Sequence, residues 1–86
     1  MTTEPNLSDI EIAQMRARCD AATPGPWRAR IERREGFSGS DFIETDAQDI
    51  ELLGAAEADY DFIAHARQDI PALLAEIDRL RSRPSS

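Results

Sequence analysis

His65 is the one histidine of the chain, and an aspartate stands four residues away on each side, Asp61 and Asp69. In a helix this spacing places the three side chains on one face. A histidine between two carboxylates suits general acid–base catalysis, or it can form one edge of a metal site. The alternative is a solvated face with helix-stabilising ion pairs. We favour that alternative, because metal sites need three or four ligands and there is no second imidazole.

Cys19 is the only cysteine, so the chain forms no internal disulfide and no cysteine-rich metal site. If Cys19 lay beside His65, its thiol could lose a proton and act as a nucleophilic thiolate. However, it falls on an apolar helical stripe, and buried thiols are usually inert. The patterns of phosphate-binding loops, dinucleotide-binding folds and zinc ribbons are absent. We therefore predict a protein with no catalytic residues, no metal site and no cofactor.

Arginines are concentrated just after Trp27. A strand over this segment would place three of them on the face opposite Trp27, where they could bind a phosphate, a nucleotide or an acidic partner. Arg67 would add to this face if the chain folds back over it. The alternative is a solvated strand face whose charge discourages edge pairing. The predicted face consists of Arg28, Arg30 and Arg34.

Two further side chains complete the candidate contacts. Phe37 lies in a Gly/Ser-containing turn, residues 36–40, and could contact a partner if it is exposed. His65 is retained as a contact residue without a catalytic role. The candidate binding residues are Arg28, Arg30, Arg34, Phe37, His65 and Arg67.

A helix should begin after Ser8, because Ser8 and Glu11 have the spacing of a capping box. Leu7 and Ile12 stand at the positions of a hydrophobic staple. The helix should end near Ala22, because the following Thr-Pro pair disfavours helical backbone. Its apolar stripe consists of Ile12, Met15, Cys19 and Ala22.

Alternating apolar and charged residues over 27–34 predict a strand with Trp27 at the centre of the core. Turn residues separate this segment from two shorter apolar ones, around Phe42–Ile43 and Ile50–Leu53. The economical interpretation is an antiparallel meander of two or three strands.

The last third of the chain predicts two helices that meet at a kink. Apolar residues recur at helical spacing from Ala55 to Ala66 and again from Ile70 to Leu80. Pro71 cannot sit in a straight helix interior, so the chain should kink or restart there, with Asp69 as the cap. The second stripe is wide enough to leave apolar surface exposed after it covers the sheet. Such surface is usually buried in a self-contact, which predicts a homo-oligomer, most simply a dimer.

The predicted fold is α+β: an N-terminal helix, a short meander and a C-terminal helix pair kinked at Pro71. We expect one domain over residues 7–81, with disordered tails at 1–6 and 82–86. The net charge of −7 disfavours duplex nucleic acid as a partner. No leader and no long apolar run is present, so we expect a cytoplasmic protein that binds no membrane.

Two segments carry a family resemblance. Residues 21–27, Ala-Ala-Thr-Pro-Gly-Pro-Trp, form the first, and Phe62–Arg67 followed by Asp69–Leu74 forms the second. Together they resemble the Ead-like early proteins of bacteriophages and actinobacterial prophages. The resemblance implies an accessory protein in the cytoplasm of a bacterial host. It implies no activity and supplies no catalytic residues.

Three functions follow in order of preference. The first is a non-enzymatic phage-type accessory protein that binds and modulates a host protein. The second is an oligomer that sequesters an anionic nucleotide signal through Arg28, Arg30, Arg34 and Arg67 as an anti-defence protein. The third is a small hydrolase that uses His65 with Asp61 or Asp69.

Overall fold

The structure is a computed structural model that describes residues 7–82. It is α+β, as predicted. In chain order the elements are α1 (Asp9–Ala21), β1 (Arg28–Arg30), α2 (Glu32–Glu35), β2 (Phe42–Glu44) and α3 (Glu57–Arg81). The predicted tails lie outside the described residues, except Ser82, which caps the end of α3.

Helix α1 has the boundaries that its sequence predicts. The Ser8 hydroxyl accepts a hydrogen bond from the Glu11 backbone N–H (3.1 Å), and the Glu11 carboxylate accepts one from the Ser8 N–H (2.8 Å). The helix ends at Ala21, ahead of the predicted Thr-Pro stop. On the predicted stripe Ile12 is buried and the other residues are half-buried.

The sheet has two strands, within the predicted two or three. Strand β1 pairs antiparallel with β2, with Ala29 opposite Ile43. The prediction of a strand from 27 to 34 is wrong after Arg30, because the chain turns into α2. That segment, Glu-Arg-Arg-Glu, consists of good helix formers, and Gly36 closes it with φ 78°. The third strand is reduced to one bridge between Ile43 and Ile50.

Helix α3 is one continuous helix, so the predicted pair of helices is wrong. Pro71 lies in its interior and removes one backbone hydrogen bond. Beyond Pro71 the helix is held against the rest of the chain: Leu74 is buried, Arg16 bonds Asp78 at 2.8 Å, and Arg81 bonds Asp9 at 2.6 Å. A bend of the helix axis at Pro71 stays a prediction.

The core lies between the sheet and the first half of α3. Ile31 and Ile43 are fully buried, and Tyr60 and Ala64 cover them from α3. The Tyr60 hydroxyl lies 3.1 Å from both the backbone N–H and the C=O of Leu52, so its polar end is satisfied. Trp27 is only half-buried at the edge of this cluster. The prediction that it forms the core centre is therefore wrong.

No helix within residues 7–82 combines the length and the apolar character that crossing a bilayer requires.

Candidate functional site

The loop before β1 is fixed to α3 by hydrogen bonds. Arg67 Nε and Trp27 Nε1 both donate to the carbonyl of Thr23, at 2.8 and 3.0 Å. The Gln68 amide accepts from the Trp27 N–H at 2.7 Å and donates to the Trp27 C=O at 3.3 Å. The two segments that carry the family resemblance are therefore in direct contact.

Trp27, held in this way, lines an apolar groove of about 600 Å³ between α1 and α3. Met15 and Cys19 lie on the α1 side, and Ile70 and Leu73 lie on the α3 side. The groove is open to solvent, since Ile70 is 43% exposed and Leu73 is 61% exposed. Its size falls in the range of ligand sites, about 300–1,000 Å³. The arrangement suits binding of an apolar surface.

Most of the α3 residues that line the groove belong to a heptad pattern along that helix. Six apolar residues recur at alternating intervals of three and four, which is the spacing of a helix that packs against another helix. This pattern was not predicted, because Pro71 divides it into two shorter helical stripes in the sequence. Reading through the proline would have revealed it. The residues of this heptad stripe are Ile63, Ala66, Ile70, Leu73, Ile77 and Leu80.

Two cations lie at the groove without a carboxylate partner. Arg18 and Arg67 both line it. Within residues 7–82, neither has an Asp or Glu oxygen within salt-bridge distance, and the same holds for Arg28. The other described arginines all pair with carboxylates of the chain. The groove therefore joins apolar surface to uncompensated positive charge.

The predicted arginine face does not form a common surface. Arg30 lies in β1 and bonds the carboxylates of Glu44 and Glu35. Arg34 lies in α2, not in the strand, and bonds Asp61 through two nitrogens at 3.0 and 2.7 Å. The prediction of one strand face is wrong for Arg34. Of the predicted three, Arg28 alone has no acidic partner among the described residues, which weakens the case for a nucleotide site.

Two carboxylates that pair with arginines of α2 have lowered pKa values. The hydrogen bond from Arg34 lowers the pKa of Asp61, and the bond from Arg33 lowers the pKa of Glu57. Both carboxylates lie on the first turns of α3, so the pairs join α2 to α3. These carboxylates partly neutralise Arg33 and Arg34, which leaves little charge for a ligand.

The remaining predicted contacts lie outside the groove. Phe37 is half-buried and packs edge-to-face on Phe42, with ring centroids 5.7 Å apart. His65 is exposed, and its Nδ1 lies 2.8 Å from the Asp61 carbonyl oxygen. Because Arg34 already engages the Asp61 carboxylate, that aspartate is not poised to assist His65. In the part of the chain that the structure describes, no three metal-binding side chains come together.

Comparisons with protein-family models, with curated proteins and with solved structures find no match to this chain. The resemblance to Ead-like phage proteins stays a prediction.

Proposed function

We propose that this protein is a non-enzymatic accessory protein that acts by binding a helix of another protein in the groove between α1 and α3. The observation that carries the proposal is the apolar groove, which is lined by Trp27 and by two arginines that have no acidic partner within residues 7–82. Aromatic residues and arginine are the side chains that most often dominate protein interfaces.

The chemistry of the groove specifies the partner helix. Grooves of this kind bind amphipathic helices through apolar residues at intervals of three and four. Arg18 and Arg67 favour a carboxylate on that helix, because their charge-assisted hydrogen bonds to it would be stronger than bonds to a neutral group. The proposed partner is therefore an amphipathic helix with at least one Asp or Glu beside its apolar stripe.

The proposed setting is a bacterial cytoplasm, with a host protein as the source of the helix. The resemblance of residues 21–27 and 62–74 to Ead-like phage proteins supports this setting. It also supports an accessory role, because that resemblance brings no catalytic residues with it. Sequestration of a nucleotide is the weaker proposal, since carboxylates of the chain occupy Arg30 and Arg34.

The fluorescence of Trp27 tests the proposal directly, because Trp27 is the only tryptophan. A synthetic amphipathic helix without Trp or Tyr, carrying four leucines and one glutamate on its stripe, is titrated into the protein. We expect a saturable change in Trp27 emission, with binding about tenfold weaker when glutamine replaces the glutamate.

Two variants of the protein provide the comparison. Leu73→Glu places a charge in the groove lining and should abolish the emission change. Leu53→Glu makes the same change at a fully exposed leucine outside the lining and should leave it intact. Emission that responds to neither model helix at protein concentrations too low for self-association would refute the proposal, whereas a response to a nucleotide panel alone would favour sequestration.

A further inference from the structure

The α1–α3 pair has the geometry of half a helix bundle. Ion pairs between Asp9 and Arg81 and between Arg16 and Asp78 show that the two helices run antiparallel along the second half of α3. Four-helix bundles are built from two such pairs, each of which contributes its apolar side to a shared core. Here that side is the groove, and the described chain provides no further helix to cover it.

The apolar residues of the chain exceed what its own core buries. Among the described residues six hydrophobic side chains are buried, whereas seven large ones are exposed. Three of those seven, Ile70, Leu73 and Leu80, belong to the heptad stripe, and Leu7 lines the groove. A small domain with such a contiguous apolar surface gains stability when another copy covers it.

The charges at the two edges of the stripe are opposite. Arg18 of α1 is exposed and lines the groove. Asp69 precedes Ile70 on the edge of α3 away from α1, is exposed, and has no described cation within salt-bridge distance. In a four-helix bundle with a two-fold axis near Ile70 and Leu73, each α3 lies between its own α1 and the partner's α1. Asp69 of one copy then faces Arg18 of the partner subunit.

We infer that the free protein is a two-fold symmetric dimer in which each copy fills the groove of the other with its heptad stripe. Because the contact is two-fold, the Asp69–Arg18 pair forms twice, and one sequence satisfies both sides. This inference adds regulation to the groove of the proposed function. The second copy and a host helix use the same surface, so the dimer must open before the partner binds.

The mass in solution tests the dimer. Sedimentation equilibrium or light scattering at micromolar concentration should give twice the 9.6 kDa of one chain. Leu73→Glu should give the mass of one chain, and Leu53→Glu, outside the groove, should remain a dimer. Circular dichroism confirms that each variant is folded. A wild-type protein with the mass of one chain throughout would overturn the inference.

A charge swap tests the ion pair and does not rely on the apolar variant. Arg18→Asp and Asp69→Arg should each weaken dimerisation about tenfold or more, and the double variant should restore it. If both single variants dimerise like the wild type, or if the double variant fails to recover, the proposed arrangement is wrong.

Asp69→Arg also separates this inference from the proposed function, because Asp69 does not line the groove. Because its dimer is weaker, Asp69→Arg should bind the model helix more tightly than the wild type does. A wild-type monomer that still binds the helix would refute the dimer and support the function. If the wild type is a dimer and Asp69→Arg does not bind the model helix, the result would support the dimer and refute the proposed function.

Discussion

Gln68 satisfies both backbone groups of Trp27, a role that a neighbouring strand usually performs. Its Oε1 accepts from the Trp27 N–H, and its Nε2 donates to the carbonyls of Trp27 and Ala64. Gln68→Ala leaves a partly buried N–H without a partner, so we expect the free energy of unfolding to fall by about 1–3 kcal/mol. Urea denaturation measures this loss.

The control is Gln14→Ala, at an exposed position of α1, which should change stability by less than about 0.5 kcal/mol. Gln68→Ala removes the hydrogen bonds to Trp27 and should therefore also shift the emission of Trp27. Gln14→Ala should leave this emission unchanged. Equal stability losses in the two variants would show that the bonds to Trp27 contribute nothing.

Ile43 shows the energetic importance of the small core. It is fully buried beneath α3, whereas Ile10 on α1 is 71% exposed. Ile43→Ala should cost about 2–5 kcal/mol, a large share of the 5–15 kcal/mol available to a typical domain. Ile10→Ala deletes the same atoms and should cost far less. Similar urea midpoints for the two variants would contradict this placement of the core.

Single residues were predictable from the sequence where the chemistry is local. Ser8 and Glu11 form their capping box because both partners lie within one helical turn. The position of Trp27 was not predictable, because its surroundings come from Gln68 and Arg67, about forty residues away. Its size alone indicated burial. The hydrogen bonds from α3 place it instead at the edge of the groove.

At the scale of elements, α2 is joined to α3 by carboxylates whose protonation should weaken the fold. Arg33 and Arg34 lower the pKa values of Glu57 and Asp61 below the ordinary 4.5 and 3.8. A lowered pKa in the folded state stabilises the protein above the unfolded value, and this stabilisation is lost as pH falls through the folded value. The contribution should therefore be constant at neutral pH and decline below about pH 5.

The double variant Glu57→Gln, Asp61→Asn should reduce the dependence of the urea midpoint on pH between neutral and pH 3, a range set by these pKa values. The matched control makes the same changes at Glu51 and Asp49, which are exposed. The control should retain the acid sensitivity of the wild type. Parallel curves for both double variants would mean that the pairs do not hold α2 on α3.

Pro71 should lower the stability of α3, because it removes a backbone donor from the helix interior. Pro71→Ala should raise the free energy of unfolding by up to about 3 kcal/mol. Pro24→Ala, in the exposed loop before β1, should instead lower it by about 0.4–1 kcal/mol, because the unfolded chain gains freedom. A loss of stability in Pro71→Ala would mean that the proline ring packs better than alanine does there.

The elements show which patterns determine structure. Helix α1 was predictable because a cap and a proline mark its two ends. The strand after Trp27 was predicted too long, because the alternation continues through Arg34 while Gly36 ends a helical turn. The short α2 and the single Ile43–Ile50 bridge depend on distant contacts, which no local pattern encodes. The proline rule divided α3 because it takes no account of packing against α1.

At the scale of the whole molecule, the negative charge determines which partners are disfavoured. The net charge is −7, and most of the described arginines are already paired within the chain. Duplex DNA should therefore not bind at moderate salt, because binding requires uncompensated positive charge to displace counterions. A gel-shift assay with a fluorescent duplex checks this. A shifted band that disappears with added salt would contradict the expected exclusion.

The dimer inference also predicts that the midpoint of thermal unfolding depends on the protein concentration. If two chains unfold together, mass action stabilises the dimer by about 1.4 kcal/mol for each tenfold rise in concentration. For a dimer of this total length the midpoint should rise by about 3–6 °C over that range. Leu73→Glu, which should have the mass of one chain and alters a side chain outside the buried core, should have a midpoint independent of concentration. A concentration-independent wild-type midpoint would mean that each chain is stable alone with its groove exposed.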